Sequence, residues 1–190
     1  MTEIILASAS PRRKELLSNI GYSFTVHPST LEEVMDPALS PGELVMALAQ
    51  QKAEDVAQNY SASCVIGSDT VVVLDGEVLG KPADSQDAYR MLRSLSGRTH
   101  DVFTGVAIVH NGETSRFFVQ TSVTFWELSD EEIHAYIDSR EPFDKAGAYG
   151  IQKLGATLVQ KIEGDYFAVV GLPVSRLSRE LKHRDILPAY

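Results

Sequence analysis

Two dipeptides, Asp75-Gly76 and Asn111-Gly112, constrain the fold of this 190-residue chain more than any other feature. Each stands between runs rich in β-branched and apolar residues. Val65 to Leu74 and Glu77 to Leu79 flank the first, and Asp101 to Val109 and Arg116 to Trp126 flank the second. Asp-Gly and Asn-Gly readily take the positive φ angles of a two-residue primed turn, whose twist matches that of the strands it joins. The spacing therefore predicts two β-hairpins, and hairpins force antiparallel pairing.

Helical signals interleave with these strands. Ile4 to Ala7 reads as a short buried strand; Ser10-Pro11 then supplies an N-cap and a proline for the first turn of a helix that turns Leu16, Leu17 and Ile20 inward and stops at Gly21. Ser40-Pro41-Gly42-Glu43 is a capping box opening a helix to about Asn59, with Val45, Leu48, Ala49 and Val56 as its apolar stripe. Further helices are predicted over Asp84 to Leu95, closed by Gly97, from Ser129-Asp130-Glu131-Glu132, and over Val174 to His183 after Pro173. A loop from Glu141 to Gln152 leads to strands expected around Ala156 to Ile162 and Tyr166 to Val170. Helices alternating with hairpins give an α/β fold with a mixed sheet, bordering on α+β. No repeat, low-complexity tract or linker divides residues 1–190, so a single domain is expected, with at most two intimately packed lobes.

Charge and composition narrow the function. Twenty-six acidic side chains against 17 basic give a net charge of −9, which argues against a broad basic face for a nucleic acid polymer or an anionic membrane. A polyanionic ligand would need a local cationic cluster or a metal ion. The start lacks the basic and apolar regions of a signal peptide and no apolar run reaches the ~18 residues of a membrane span, so a cytoplasmic protein is expected. The single cysteine, Cys64, lies in an apolar run and suits a reducing compartment.

Several residues ask for a chemical explanation. Arg12, Arg13 and Lys14 fall in the first turn of the first helix, where the macrodipole disfavours cations. A phosphate held by the free N–H groups of that helix start, beside the Ser8 and Ser10 hydroxyls, would resolve the conflict. The plainer alternative is that these side chains point into water at about 0.3–1 kcal/mol each. Asp69 interrupts an otherwise apolar strand; it is paired with a cation or metal, acts as a general base, or lies on a wet strand face or at a bulge beside Gly67. Lys52 puts an ammonium on the apolar stripe of its own helix, four residues from Leu48 and from Val56, and either snorkels or meets an anion. Lys81, between Gly80 and Pro82, could reach phosphate from a loop, and Glu32 and Glu33 could offer a carboxylate to Mg²⁺; solvated side chains are the plain reading of all three.

Familiar mechanisms are missing. Gly76 to Lys81 is one residue short of a P-loop and has Pro82 where Ser or Thr should bind the metal. No G-x-G-x-x-G opens a helix, no G-x-S-x-G elbow is present, and the five histidines lack zinc-site spacing.

The strings LASASPRRKELL (6–17), IGSDTVVVLDGEVLGKP (66–82), LSGRTHDVFTGVAI (95–108), EPFDKAGAYGIQ (141–152) and VVGLPVS (169–175) together resemble the Maf family, in its order and over nearly the whole chain. The resemblance implies an elongated two-lobed α/β fold similar to that of inosine triphosphate pyrophosphatases, with a cleft for a nucleoside triphosphate. It implies pyrophosphohydrolysis: water attacks the α-phosphorus and pyrophosphate leaves, with Mg²⁺ or Mn²⁺ required. The family's pattern puts phosphate contacts on Ser8, Arg12, Arg13, Lys52 and Lys81, a metal-associated acid at Glu33, and a general base, also metal-associated, at Asp69.

Substrate choice is implied too. The subgroup preferring dTTP and UTP carries arginine, threonine and glutamine where this chain has Arg12, Thr70 and Gln152; the subgroup resembling 7-methyl-GTP pyrophosphatases carries tryptophan, glutamine and glutamate. A Gln152 amide can both donate to and accept from the O4–N3–O2 edge of uracil or thymine. The rival expectations are a pyrophosphatase for modified purine triphosphates and a nucleotide-binding regulator of septum formation, in contact with cell-division proteins, whose catalysis is incidental. A homodimer is a reasonable expectation for a small soluble enzyme.

Overall fold

The computed structural model describes residues 2–189. Strand β1, Ile4–Leu6, leads to helix α1, Pro11–Asn19, and to the two-residue strand β2, Thr25–Val26; a loop then reaches the long helix α2, Pro41–Ala57. Strands β3, Cys64–Leu74, and β4, Glu77–Leu79, precede helix α3, Ser85–Leu95, and the long strands β5, Thr99–His110, and β6, Glu113–Phe125. Helix α4, Asp130–Asp138, and 3-10 turns at Glu141–Asp144, Ala146–Ala148 and Lys153–Leu158 lead to β7, Val159–Glu163, then helices α5, Tyr166–Val170, and α6, Val174–Lys182.

Seven strands form one mixed sheet in the order β2-β1-β3-β5-β6-β7, with β4 paired to β3 off that path. Strand β1 is parallel to β2 and β3, Ile5 lying opposite both Thr25 and Val65. Strand β4 is antiparallel to β3 and β7 to β6. The mixture follows from the connections, since the helical crossovers through α1 and α2 return the chain in the same direction and a tight turn reverses it. Both turns have the required geometry: φ is 52° and 84° at Asp75 and Gly76, 53° and 78° at Asn111 and Gly112. The starts of α1 to α4 are capped as their sequences demand, while α6 begins after Pro173 without a side-chain cap. Ser10 accepts from the Arg13 N–H, Asp84 from Asp87, and reciprocal capping boxes join Ser40 with Glu43 and Ser129 with Glu132.

One expected strand is a helix. Tyr166 to Val170 coils into α5 because the Asp165 carboxylate accepts from the N–H groups of Phe167, at 2.8 Å, and Ala168, at 3.3 Å, which is N-cap chemistry. The strand expected from Ala156 begins only at Val159, after a 3-10 turn, and β2 carries too few residues to show any alternation.

The chain divides into two compact units, one comprising residues 1–69, 104–119 and 171–190 and the other residues 70–103 and 120–170. Each has its own core. In the first, Ala49, Ala53 and Val56 of α2 pack on Ile5, Val65 and Ala107 of the sheet. In the second, Met91, Leu92 and Leu95 of α3 and Ile133 and Ile137 of α4 pack with Val72, Val123 and Phe125. Two glycines set the depth at which α2 seats in the first unit. A Cβ at Gly67 would lie 2.2 Å from the Ala49 carbonyl oxygen, and one at Gly105 would lie 2.3 Å from that of Val45, so helix backbone rests directly on strand backbone. No helix among the described residues is long and apolar enough to cross a membrane.

Candidate active site

The contact at Gly67 decides where Lys52 points. With Ala49 and Ala53 pressed on β3, Lys52 leaves the same helix face beside them and extends toward the strand's polar interruption two residues beyond Gly67. Its Nζ donates to Asp69 Oδ1 at 2.5 Å and lies 2.8 Å from Glu33 Oε1. The Asp69 and Lys52 side chains are only 13% and 17% exposed, against 48% for Glu33, so the inner pair is more strongly coupled than a surface ion pair. Charges on a strand, a helix and a loop thus meet at one ammonium.

The α1 start lies in the same unit and is built of converging polar contacts. Arg13 Nε donates to the Gly171 carbonyl at 2.8 Å and Nη1 to the Ser8 hydroxyl at 3.2 Å, while Ser8 Oγ also accepts from the Ser10 N–H at 3.3 Å. Burial pushes the Arg13 pKa down; attraction to Asp69 opposes this, repulsion from Arg12 adds to it, and Glu33 again opposes. Arg13 thus feels the charges of Arg12, Glu33 and Asp69 together. Arg13 is therefore answered by the Gly171 carbonyl, the Ser8 hydroxyl and the pull of nearby carboxylates instead of trailing into water, whereas Lys14 is exposed.

In the first unit the structure gathers Ser8, Arg12, Arg13, Glu33, Lys52 and Asp69. Thr70, Lys81 and Gln152 belong to the second. There the loop that carries Gln152 is fastened at three points: the Gly147 N–H donates to the Gly80 carbonyl at 3.0 Å, the Gly150 N–H to the Tyr136 hydroxyl at 3.0 Å, and Tyr149 Oη lies 2.7 Å from His100 Nε2. The first of these ties the loop to the residue before Lys81, which is exposed, whereas Gln152 and Thr70 are half-buried.

Among the described residues no group of three or more His, Cys, Asp and Glu side chains gathers as a metal cage. The two carboxylates that converge on Lys52 nevertheless suit a cation that brings its own ligands, because Mg²⁺ takes one or two protein carboxylates and fills its octahedron with water and substrate phosphate.

The sequence pattern described as Maf-like protein matches residues 3–184. The chain belongs to the Maf family. Curated relatives from Bacillus cereus and Bacillus anthracis, each named dTTP/UTP pyrophosphatase, are 54% identical to it over 186 residues, covering 98% of this chain and 97% of each relative. Among solved structures, one from Mycobacterium abscessus described as a nucleoside-triphosphatase / dITP/XTP pyrophosphatase aligns over 97% of both chains at 13% identity, with a TM-score of 0.47.

Two residues of this Maf protein escaped the sequence reading. Ser68, fully buried beside Asp69, has its hydroxyl 2.9 Å from the Gly105 carbonyl and 3.2 Å from that of Gly171, fixing the strand where Asp69 emerges. Its only signal was a hydroxyl within an apolar run. Gln51, next to Lys52, bonds the main chain of Val34 beside Glu33, and nothing in a helical glutamine announces such a contact.

Proposed function

We propose that this chain hydrolyses dTTP and UTP to the nucleoside monophosphate and pyrophosphate, with Mg²⁺ or Mn²⁺. The observation that carries the reading is the Lys52 ammonium shared by Asp69 and Glu33 beside the arginine-lined start of α1, in a chain 54% identical over nearly its full length to relatives named for that activity.

Asp69 takes a proton from water, whose oxygen attacks the α-phosphorus; the bond to the bridging oxygen of the β-phosphate breaks and pyrophosphate departs. Lys52 holds the Asp69 carboxylate in place through their 2.5 Å ion pair, and gives the incoming triphosphate a cation to meet. Ser8, Arg12 and Arg13 hold phosphate oxygens together with the α1 N–H groups, and Lys81 offsets charge growing on the leaving pyrophosphate. A divalent cation held by Asp69 and Glu33 would neutralise phosphate charge and polarise the P–O bonds. Gln152 reads the pyrimidine edge, with Arg12 and Thr70 completing the selection.

The test is to offer purified protein and Mg²⁺ a panel of canonical and modified triphosphates, 7-methyl-GTP included, while scoring pyrophosphate against orthophosphate. UTP and dTTP should be turned over fastest, with pyrophosphate as the product. Orthophosphate alone would mean that a different bond is cut, and a preference for 7-methyl-GTP would overturn the pyrimidine reading.

A further inference from the structure

Gln51 stands immediately before Lys52, yet the proposed chemistry makes no use of it. Its side-chain amide bonds both main-chain groups of one residue: Nε2 donates to the Val34 carbonyl at 3.0 Å and Oε1 accepts from the Val34 N–H at 3.1 Å. A paired strand satisfies a residue in the same two-fold manner, but here one helical side chain does it. A second tie lies one turn further along α2, where Ser29 Oγ donates to Asp55 Oδ2 at 2.6 Å and accepts from the Leu31 N–H at 3.2 Å.

Apolar burial does not hold this loop. Leu31, Val34 and Met35 are 51%, 68% and 53% exposed, so the segment between the two ties is positioned by hydrogen bonds to α2. Gln51 and Lys52 are neighbours on the helix, and Val34 and Glu33 are neighbours on the loop. One pair is joined by an amide clamp and the other by an ion pair at 2.8 Å.

We propose that Gln51 is a positioning residue, which grips the main chain of Val34 and thereby presents the Glu33 carboxylate to the Lys52–Asp69 pair. The inference rests on the pyrophosphohydrolase reading, in which Glu33 helps to hold the divalent cation. Gln51 acts on that cation only through Glu33, as the partner of a ligating carboxylate does, and loss of such a partner weakens metal affinity or activity about 10- to 100-fold.

The test compares Gln51→Met, Glu33→Gln and the double variant of the full chain with UTP over a range of Mg²⁺ concentrations, and measures exchange of the Val34 amide hydrogen in Gln51→Met. Gln50→Met is the control, since Gln50 bonds Glu54 and Arg116 instead. Gln51→Met should melt within a few degrees of the parent, expose the Val34 amide to exchange, and raise half-saturating Mg²⁺ about tenfold with a smaller change in KM for UTP. The double variant should be no worse than Glu33→Gln, and the control should match the parent. A Val34 amide as protected in Gln51→Met as in the parent, or losses that multiply in the double variant, would overturn the proposal. A parent protein inactive on every triphosphate would overturn the functional reading itself, while the Val34 exchange would still report whether the clamp exists.

Discussion

Asp69, Arg13, Ser68 and His100 are the polar side chains whose surroundings say most, because an unanswered polar group away from water is expensive. Lys52 answers Asp69, the Gly171 carbonyl and Ser8 answer Arg13, and two carbonyls answer Ser68. His100 is answered on one side only. Nε2 meets the Tyr149 hydroxyl, Nδ1 is buried with no hydrogen-bond partner among the described residues, and the ring packs edge-on to Phe125. Burial lowers its pKa from 6.5 to about 4, with Asp101 pulling weakly upward. The unfolded chain therefore takes up a proton below about pH 6.5 that the folded core refuses until about pH 4, and stability falls across that window as the pH drops. The loss from this group approaches roughly 3 kcal/mol at its lower end. His100→Gln, which keeps a partner for Tyr149 and does not titrate, should flatten the decline in urea midpoint between pH 6.5 and 4 relative to the parent. Parallel declines would show that His100 is not its source. In the sequence His100 is one of five histidines without zinc-site spacing; only the fold reveals that it fastens, through Tyr149, the loop bearing Gln152.

Among the elements, α2 and β3 do most to shape the candidate site, and their contact at Gly67 sets the reach of Lys52. Alanine at Gly67 would put a methyl group 2.2 Å from the Ala49 carbonyl oxygen and 2.9 Å from the Ala53 nitrogen, main-chain atoms that cannot swing aside. The helix must lift. Gly67→Ala should therefore cost about 1–3 kcal/mol of stability as overpacking. It should also lower turnover by up to about 100-fold, because a displacement on the order of 1 Å separates Lys52 from Asp69. A variant with parental melting temperature and rate would show that the contact has no such role. The capping boxes at Ser40 and Ser129 and the Asp-Gly and Asn-Gly turns could be read directly from the chain, since each depends on residues within four positions of one another. Tyr166 to Val170 could not, because five apolar residues suit either period and the deciding interaction is the single Asp165 cap. At Gly67 the glycine serves close approach by the helix.

For the whole molecule, the mixed sheet followed from hairpins alternating with helical crossovers, and each core follows an apolar helix face, that of α2 in the first unit and those of α3 and α4 in the second. Asp69, Lys52 and the α1 arginines were legible because each breaks a local rule: a carboxylate in an apolar strand, an ammonium on an apolar stripe, cations at a helix start; Glu33 and Lys81 break none and were marked by the family resemblance. Gln51 and Ser68 break none, so their contacts needed tertiary structure to be seen. The chain passes from the first compact unit to the second between Asp69 and Thr70, where the proposed base and one proposed selector of the nucleobase are consecutive. The central claim is that the Asp69 carboxylate, held by Lys52, directs water onto the α-phosphorus. The most direct measurement is turnover of UTP by Asp69→Asn with Mg²⁺, alongside its melting temperature and its affinity for UTP. The account predicts a rate lowered about 10²–10⁴-fold with the fold intact and the nucleotide still bound; a well-folded Asp69→Asn protein releasing pyrophosphate within a few-fold of the parent rate would contradict it.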